Sequence, residues 1–200
     1  MSKTFNIYIL IVCFVLLLFK SDFVIGSENE IILSKIKSYF KNLKTLEADF
    51  IQIGPSGNVS EGKFYLDLPG KLRFDYHKPN NILITCQGFW LSIQDRKTKK
   101  TNNVPVNQTP LNFLLNQQFD VKNNFIKFSL KKDSGLLSLT IVDNEKKDQS
   151  ALTLTFSENP IQLKKWVIKD NFENETNVLI QNLQVGNELS YLLFFPEDFD

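Results

Sequence analysis

The sequence predicts a mainly β fold with α elements: one strongly curved antiparallel sheet of about eleven strands, with helices on its concave side. Three observations carry this. From residue 45 onward apolar side chains recur at every second position in segment after segment, the period of a strand with one dry and one wet face. Turn residues separate most of these segments. Helical spacing occurs in only two stretches, and no repeat, low-complexity tract or long linker divides the chain, so residues 27–200 read as a single domain.

The elements follow in order. Ser27 and Glu30 fit a capping box, after which Ile32, Ile36, Tyr39, Phe40 and Leu43 fall on one helical face with Lys35, Lys37 and Lys41 opposite. After Lys44 the period becomes two. Leu46, Ala48, Phe50 and Gln52 alternate with Glu47, Asp49 and Ile51, and Gly54-Pro55-Ser56-Gly57-Asn58 makes a turn. Phe64, Leu66 and Leu68 then alternate with Lys63, Tyr65 and Asp67; Pro69-Gly70 turns the chain; Leu72, Phe74 and Tyr76 alternate with Lys71, Arg73 and Asp75. Asn81–Thr85 and Phe89–Asp95 form a hairpin across Gln87-Gly88. The polar stretch from Lys97 to Gln108 reads as a loop.

Thr109 offers an N-cap and Pro110 a first helical residue for Leu111, Leu114 and Leu115, in a helix too short to stand alone. Such an insertion between strands is either a lid or a plug of the core. Strands resume at Phe125–Lys131, Leu136–Asn144, Ala151–Ser157, Leu163–Asp170 and Asn177–Val185, with a last segment Tyr191–Phe195.

Ahead of this domain, Lys3 precedes an apolar run from Ile7 to Phe19, and Val24 and Gly26 stand just before Ser27. A bilayer span needs about 20 apolar residues, so the run reads as a signal peptide, residues 1–26, cleaved near Gly26. The protein is therefore expected outside the cytoplasm. Cys13 leaves with the signal and, with Val12 before it, does not fit a lipid-attachment site. Cys86 is then the remaining cysteine, and no intramolecular disulfide can form.

Charge and chemistry exclude several functions. Removing Lys3, Lys20 and Asp22 from 23 basic and 22 acidic residues leaves the two signs equal, which argues against a nucleic-acid partner. The cluster Arg96, Lys97, Lys99 and Lys100 reads as a solvated hairpin tip. His77 is the one histidine and sits at a strand end, so a multi-histidine zinc site is excluded and a triad would have to run through it. Cys86 reads as a buried structural thiol, and Asp133, Asp143, Asp148 and Asp170 fall at turns, where Asp is favoured for backbone reasons. There is no phosphate loop. No enzyme, metal or cofactor is expected. The surplus is phenylalanine, 18 residues against 5 Tyr and 2 Trp, which builds either an ordinary core or an apolar ligand cavity.

The order of motifs resembles the periplasmic outer-membrane lipoprotein carriers (LolA-like). The resemblance runs through Leu46-x-Ala48-x-Phe50-x-Gln52, Gly62-x-Phe64-Tyr65-Leu66, and Pro69-Gly70-Lys71-Leu72-Arg73-Phe74-Asp75-Tyr76 with Pro79. It continues through Thr109-Pro110-Leu111-x-x-Leu114-Leu115 and Asn159-Pro160-x-x-Leu163-x-x-Trp166, and closes on Phe194-Phe195-Pro196. Pro69, Gly70, Arg73 and Pro110 are its family-motif positions. The chain departs from the pattern at Leu68, where members commonly carry an Arg thought to tie the sheet to the helical lid.

The resemblance implies an incomplete β-barrel with helices as a lid, whose cavity shelters the acyl chains of a lipoprotein on its way from the inner to the outer membrane. The implied partners are triacylated lipoproteins as cargo, an inner-membrane ABC-type release complex and an outer-membrane lipoprotein receptor, with the carrier a monomer. By alternation the lining would include Phe50, Phe64, Leu66, Leu72, Phe74, Tyr76, Ile82 and Ile84, with Leu111, Leu114 and Leu115 from the lid; the alternative for each is plain core. A lipid-binding or lipid-sensing protein of the same fold and a structural envelope protein with a filled core are the rival readings.

Overall fold

The computed structural model of the protein describes residues 23–116, 126–143 and 150–199. The apolar run Ile7–Phe19, Cys13 and Asp148 lie outside them. The chain forms two compact units, Met1–Lys35 and Ile36–Asp200. The described part of the first is helical backbone from Phe23 to Lys35, the opening stretch of helix α1 (Phe23–Asn42). Because the backbone is already helical through Phe23–Gly26, Ser27 does not start the helix as its capping pattern suggested. No described helix is long and apolar enough to cross a membrane.

The second unit holds an antiparallel sheet of eleven strands: β1 (Thr45–Ile53), β2 (Val59–Asp67), β3 (Lys71–Tyr76), β4 (Ile82–Gln87), β5 (Trp90–Asp95), β6 (Lys100–Pro105), β7 (Ile126–Asp133), β8 (Leu136–Asp143), β9 (Ala151–Glu158), β10 (Ile161–Lys169) and β11 (Glu175–Val185). Helix α2 (Leu111–Asn116) lies between β6 and β7 in sequence. Pairing runs β6-β5-β4-β3-β2-β1-β11-β10-β9-β8-β7, two meanders joined where β1 meets β11. The sheet does not close, since β6 and β7 are its edges.

The count of eleven matches expectation, but two members differ. Lys100–Pro105, read as loop, is edge strand β6; its exposed Lys100, Thr101, Asn102 and Asn103 carry no apolar alternation because neither face of an edge strand there needs burial. Tyr191–Phe194, read as strand, is a 3₁₀ turn. Its apolar run reflects burial of Phe194 rather than pairing.

Side chains show that the sheet curls. Phe74 on β3 and Trp166 on β10 are four strand spacings apart, roughly 19 Å in a flat sheet. Their ring centroids are 5.9 Å apart, and those of Phe64 and Trp166 are 5.3 Å apart. The inner face closes on itself through these rings. Phe40 of α1 meets Phe156 of β9 edge to face at 5.9 Å, and the Tyr39 hydroxyl accepts the Leu163 N–H at 3.4 Å, so the last turns of α1 cover the β9–β10 part of this face.

Two Asp side chains organise turns, Asp170 as its position in the sequence suggested and Asp95 in addition. Asp95 Oδ1 accepts the Lys97 and Thr98 N–H groups between β5 and β6, and Asp170 Oδ1 accepts those of Phe172 and Asn174 between β10 and β11. Gly62 marks a close approach: a Cβ there would lie 2.1 Å from the Asp75 carbonyl oxygen and 2.7 Å from the Phe50 ring.

The outer face of β3–β5 is covered as well. The Tyr191–Phe194 turn rests on β3 and β4, and Leu83, Thr85, Gln94 and Phe194 are all buried. Arg73 donates to the Leu193 carbonyl at 3.1 Å and to Asp75 at 2.6 Å. Arg96 holds Asp75 through Nη1 at 2.6 Å and grips both Glu197 oxygens at 2.7 and 2.9 Å. Gln94 exchanges two hydrogen bonds with the Glu197 backbone. Arg96 is thus a structural clamp, and only Lys97, Lys99 and Lys100 of the basic cluster form the solvated tip that sequence suggested for all four.

This packing can be tested at two places. Gly62→Ala should lower stability by about 1–3 kcal/mol through overpacking, read from urea unfolding. For the clamp, burial raises the Asp75 pKa, but hydrogen bonds from Arg96 and Arg73 leave it below the ordinary carboxylate value; the Arg96 bond likewise lowers Glu197. Lowered values mean stabilisation that is complete above the ordinary carboxylate range near 4 and lost as pH falls below it. Hydrogen-exchange protection of residues 191–197 should therefore fall on acidification below that range, and Arg96→Gln should reduce it already at neutral pH.

Candidate functional site

The inner face of the sheet is a continuous apolar surface. Register places Leu46 beside Leu66, Leu66 beside Leu72 and Leu72 beside Cys86, and in the next row Phe64 beside Phe74 and Phe74 beside Ile84. Directly paired residues share a face, so Phe50, Phe64, Leu66, Leu72, Phe74, Tyr76, Ile82 and Ile84 all point inward, as the alternation indicated. Phe50, Phe64, Leu66, Leu72 and Phe74 are buried; Tyr76, Ile82 and Ile84 are half-buried. Fully buried Leu83 belongs to the outer face, under the C-terminal segment.

The rings interlock. Phe64 stacks on Phe74 at 4.6 Å, while Phe50 meets Phe74 at 5.2 Å and Tyr76 at 4.9 Å, both edge to face. The Tyr76 hydroxyl donates to Gln52 Oε1 at 2.8 Å, and burial pushes its pKa up to about 12, so it stays neutral. Cys86 is 1% exposed and burial raises its thiol to about 11, which makes it an inert member of the wall. His77, as expected of a turn residue, is exposed. Among the described residues no group of three or more His, Cys, Asp or Glu could hold a metal.

Helix α2 presents Leu111, Phe113, Leu114 and Leu115 as buried residues, four on a six-residue helix, so apolar contact surrounds most of it. Thr109 does not cap it: the Thr109 hydroxyl donates to the Val106 carbonyl at 2.8 Å, closing the 3₁₀ turn Val106–Gln108 instead. Pro110 precedes the first helical residue. The tie between α2 and the sheet is a backbone bond. Gly70, at φ +83° in the β2–β3 turn, donates its N–H to the Leu115 carbonyl at 3.1 Å, and its own carbonyl accepts the Gly88 N–H at 2.9 Å. Beside it Pro69 is exposed, Leu68 is buried, and the Leu68 N–H goes to the Lys44 carbonyl at 2.8 Å. Leu68 offers no polar group for a tie to the short helix, and the Gly70 N–H supplies one instead. Arg73, by contrast, faces outward and serves the C-terminal segment.

A family model described as outer membrane lipoprotein carrier protein LolA matches residues 41–196. The chain belongs to the LolA family. An uncharacterised protein of Rickettsia prowazekii is 25% identical over 174 residues, covering 87% of this chain and 78% of its own length. The outer-membrane lipoprotein carrier protein of Methylococcus capsulatus is 29% identical over 170 residues, covering 80% and 81%. Among solved structures, an uncharacterised conserved protein from Thermus thermophilus matches with a TM-score of 0.50 at 12% identity, over 86% of this chain and 96% of that one, a likeness of fold alone.

Sequence reasoning omitted several inward residues of this LolA-family chain. Trp166, Val178, Ile180 and Phe113 are buried with the named set. Alternation in β11 was the signal for Val178 and Ile180; at Trp166 a register shift between Leu163 and Lys165 breaks the period, and Phe113 shows no amphipathic spacing because α2 is buried on nearly every side. Cys86 offers a reporter for this face: a maleimide should leave it unmodified in native protein at neutral pH and label it fully in guanidinium, as read by peptide mass spectrometry. Native labelling at the denatured rate would show that the inner face opens freely to solvent.

Proposed function

We infer that this protein carries the acyl chains of lipoproteins across the periplasm in an apolar interior, from the inner to the outer membrane. The observation that supports the reading most is a continuous, ring-lined apolar face on an open sheet, in a chain matched by the LolA family model over residues 41–196. Several relatives bear the name outer-membrane lipoprotein carrier protein. The physics is transfer: each methylene taken from water is worth roughly 0.8 kcal/mol, so a triacylated protein does not cross an aqueous space without shelter.

Apolar walls supply that shelter without directional bonds, and cargo can pass to a more apolar acceptor with no reaction at the carrier. In this reading residues 1–26 direct export and are removed near Gly26, an inner-membrane ABC-type complex loads the monomeric carrier, and an outer-membrane lipoprotein receptor unloads it. Leu111, Leu114 and Leu115 leave the inner face when cargo enters, and the Gly70 to Leu115 bond is the contact that must break.

A second reading has its own observation. Phe64, Leu66, Leu72 and Leu115 are fully buried, so this part of the interior is filled, as a structural envelope protein or a non-carrier lipid-binding relative of the same fold would require. Native mass spectrometry of the protein from its own envelope, followed by lipid extraction, separates them. The carrier reading expects one triacylated lipoprotein per chain. An empty protein that also refuses a fluorescent fatty-acyl probe would put the filled-core reading in its place.

A further inference from the structure

Among the described residues an open, largely apolar volume lies beyond the packed rings, where α1 ends. A cavity of about 340 Å³ is lined by Tyr39, Asn42, Leu43, Lys44, Val185 and Gly186. We propose that this cavity is a binding site for a single acyl chain that is ready to be filled while α2 stays in place, with Val185 as its wall.

The wall is set by a β-bulge. From Ile53 to Asp49, β1 pairs with β11 in one register, Phe50 facing Ile180 and Asp49 facing Gln181. Between Asp49 and Glu47 the register shifts, with Asn182 at φ +49° and its side chain donating to Asp49 at 2.6 Å. Continued without the shift, the pairing would set Gln184 beside Leu46; with it, Val185 takes that place. An apolar residue is thereby turned to the inner face at its very end. Leu46, Val178 and Ile180 on that face are buried, yet Val185 is 56% exposed, because α1 stops at Asn42 and the chain turns through Leu43 and Lys44 into β1. Val185 thereby gives the cavity beside Tyr39 and Leu43 an apolar wall that no side chain of the described residues fills.

The chemistry of the site suits a tail and little else. Tyr39, Leu43 and Val185 supply apolar wall, and the Tyr39 hydroxyl already accepts the Leu163 N–H. Asn42 and Lys44 are exposed residues among the lining, where they can meet a polar or anionic head. The volume holds on the order of ten water-sized groups, the bulk of one medium-length chain. The tail comes either from a lipoprotein or from a free single-chain lipid. The first source rests on the carrier reading; the site itself does not.

The test uses dodecanoate, titrated below its micelle concentration into protein purified after export. Wild type should show one saturable site. Val185→Trp, which fills the cavity from an exposed position, should bind at least tenfold more weakly, as should Lys44→Trp if the first variant melts early. Val59→Trp, an exposed valine at the start of β2, should bind as wild type does. No saturable binding by wild type, or equal binding by folded Val185→Trp and Lys44→Trp, overturns the proposal. A synthetic tripalmitoyl lipopeptide then distinguishes the sources: displacement of dodecanoate assigns the cavity to a lipoprotein tail, and simultaneous binding assigns it to a free lipid. Wild type that takes dodecanoate through Val185 but never the lipopeptide would sink the carrier reading and leave the cavity standing; the reverse pattern would sink the cavity alone.

Discussion

The contact of Phe64 and Phe74 with Trp166 is the constraint on which the rest depends. A flat sheet of eleven strands would hold these rings far apart, and only a curled one lets them share a centre. The curl converts the inner face into an apolar surface that needs cover, which the last turns of α1 supply over β9 and β10. Closing the barrel would satisfy the edges but leave no side for a helix, or a lipid tail, to enter. An open, apolar face of this kind is stabilised by transfer of its side chains from water rather than by hydrogen bonds across it.

The outer face is treated differently. Under the C-terminal segment, β3–β5 bury Leu83, Thr85 and Gln94, and the Arg73, Arg96, Asp75 and Glu197 cluster pins that segment in place. The strands carrying Leu72, Phe74 and Ile84 are therefore packed on both faces. Beside that wall the Gly70 N–H, in the β2–β3 turn, donates to the Leu115 carbonyl of α2.

Much of this was legible in the sequence. Period-two alternation named the inward residues of β1–β3 because each of those strands has a dry face and a wet one, and the Asp and Gly turns announced their own hairpins. In β4 alternation named Ile82 and Ile84 correctly but could not see that Leu83 is the more buried, since burial there comes from a segment more than a hundred residues later. Edge strand β6 was silent because pairing through backbone bonds needs no apolar code. Tyr191–Phe194 spoke as a strand because a single deeply buried Phe and its apolar neighbours mimic one.

By itself the sequence determined most of the strands, the facing of the inward residues in β1–β3 and the motif order of the LolA family, all of which depend on near neighbours and on the two-residue repeat. Tertiary structure decided the role of Arg96, which reads as a solvated tip until Asp75 and Glu197 are brought beside it, and the backbone bond from Gly70 to Leu115. It also decided the inward turn of Val185, which depends on a single-residue slip between β1 and β11. Each of these is a relation between residues far apart in the chain, and local periodicity carries no information about where distant segments meet.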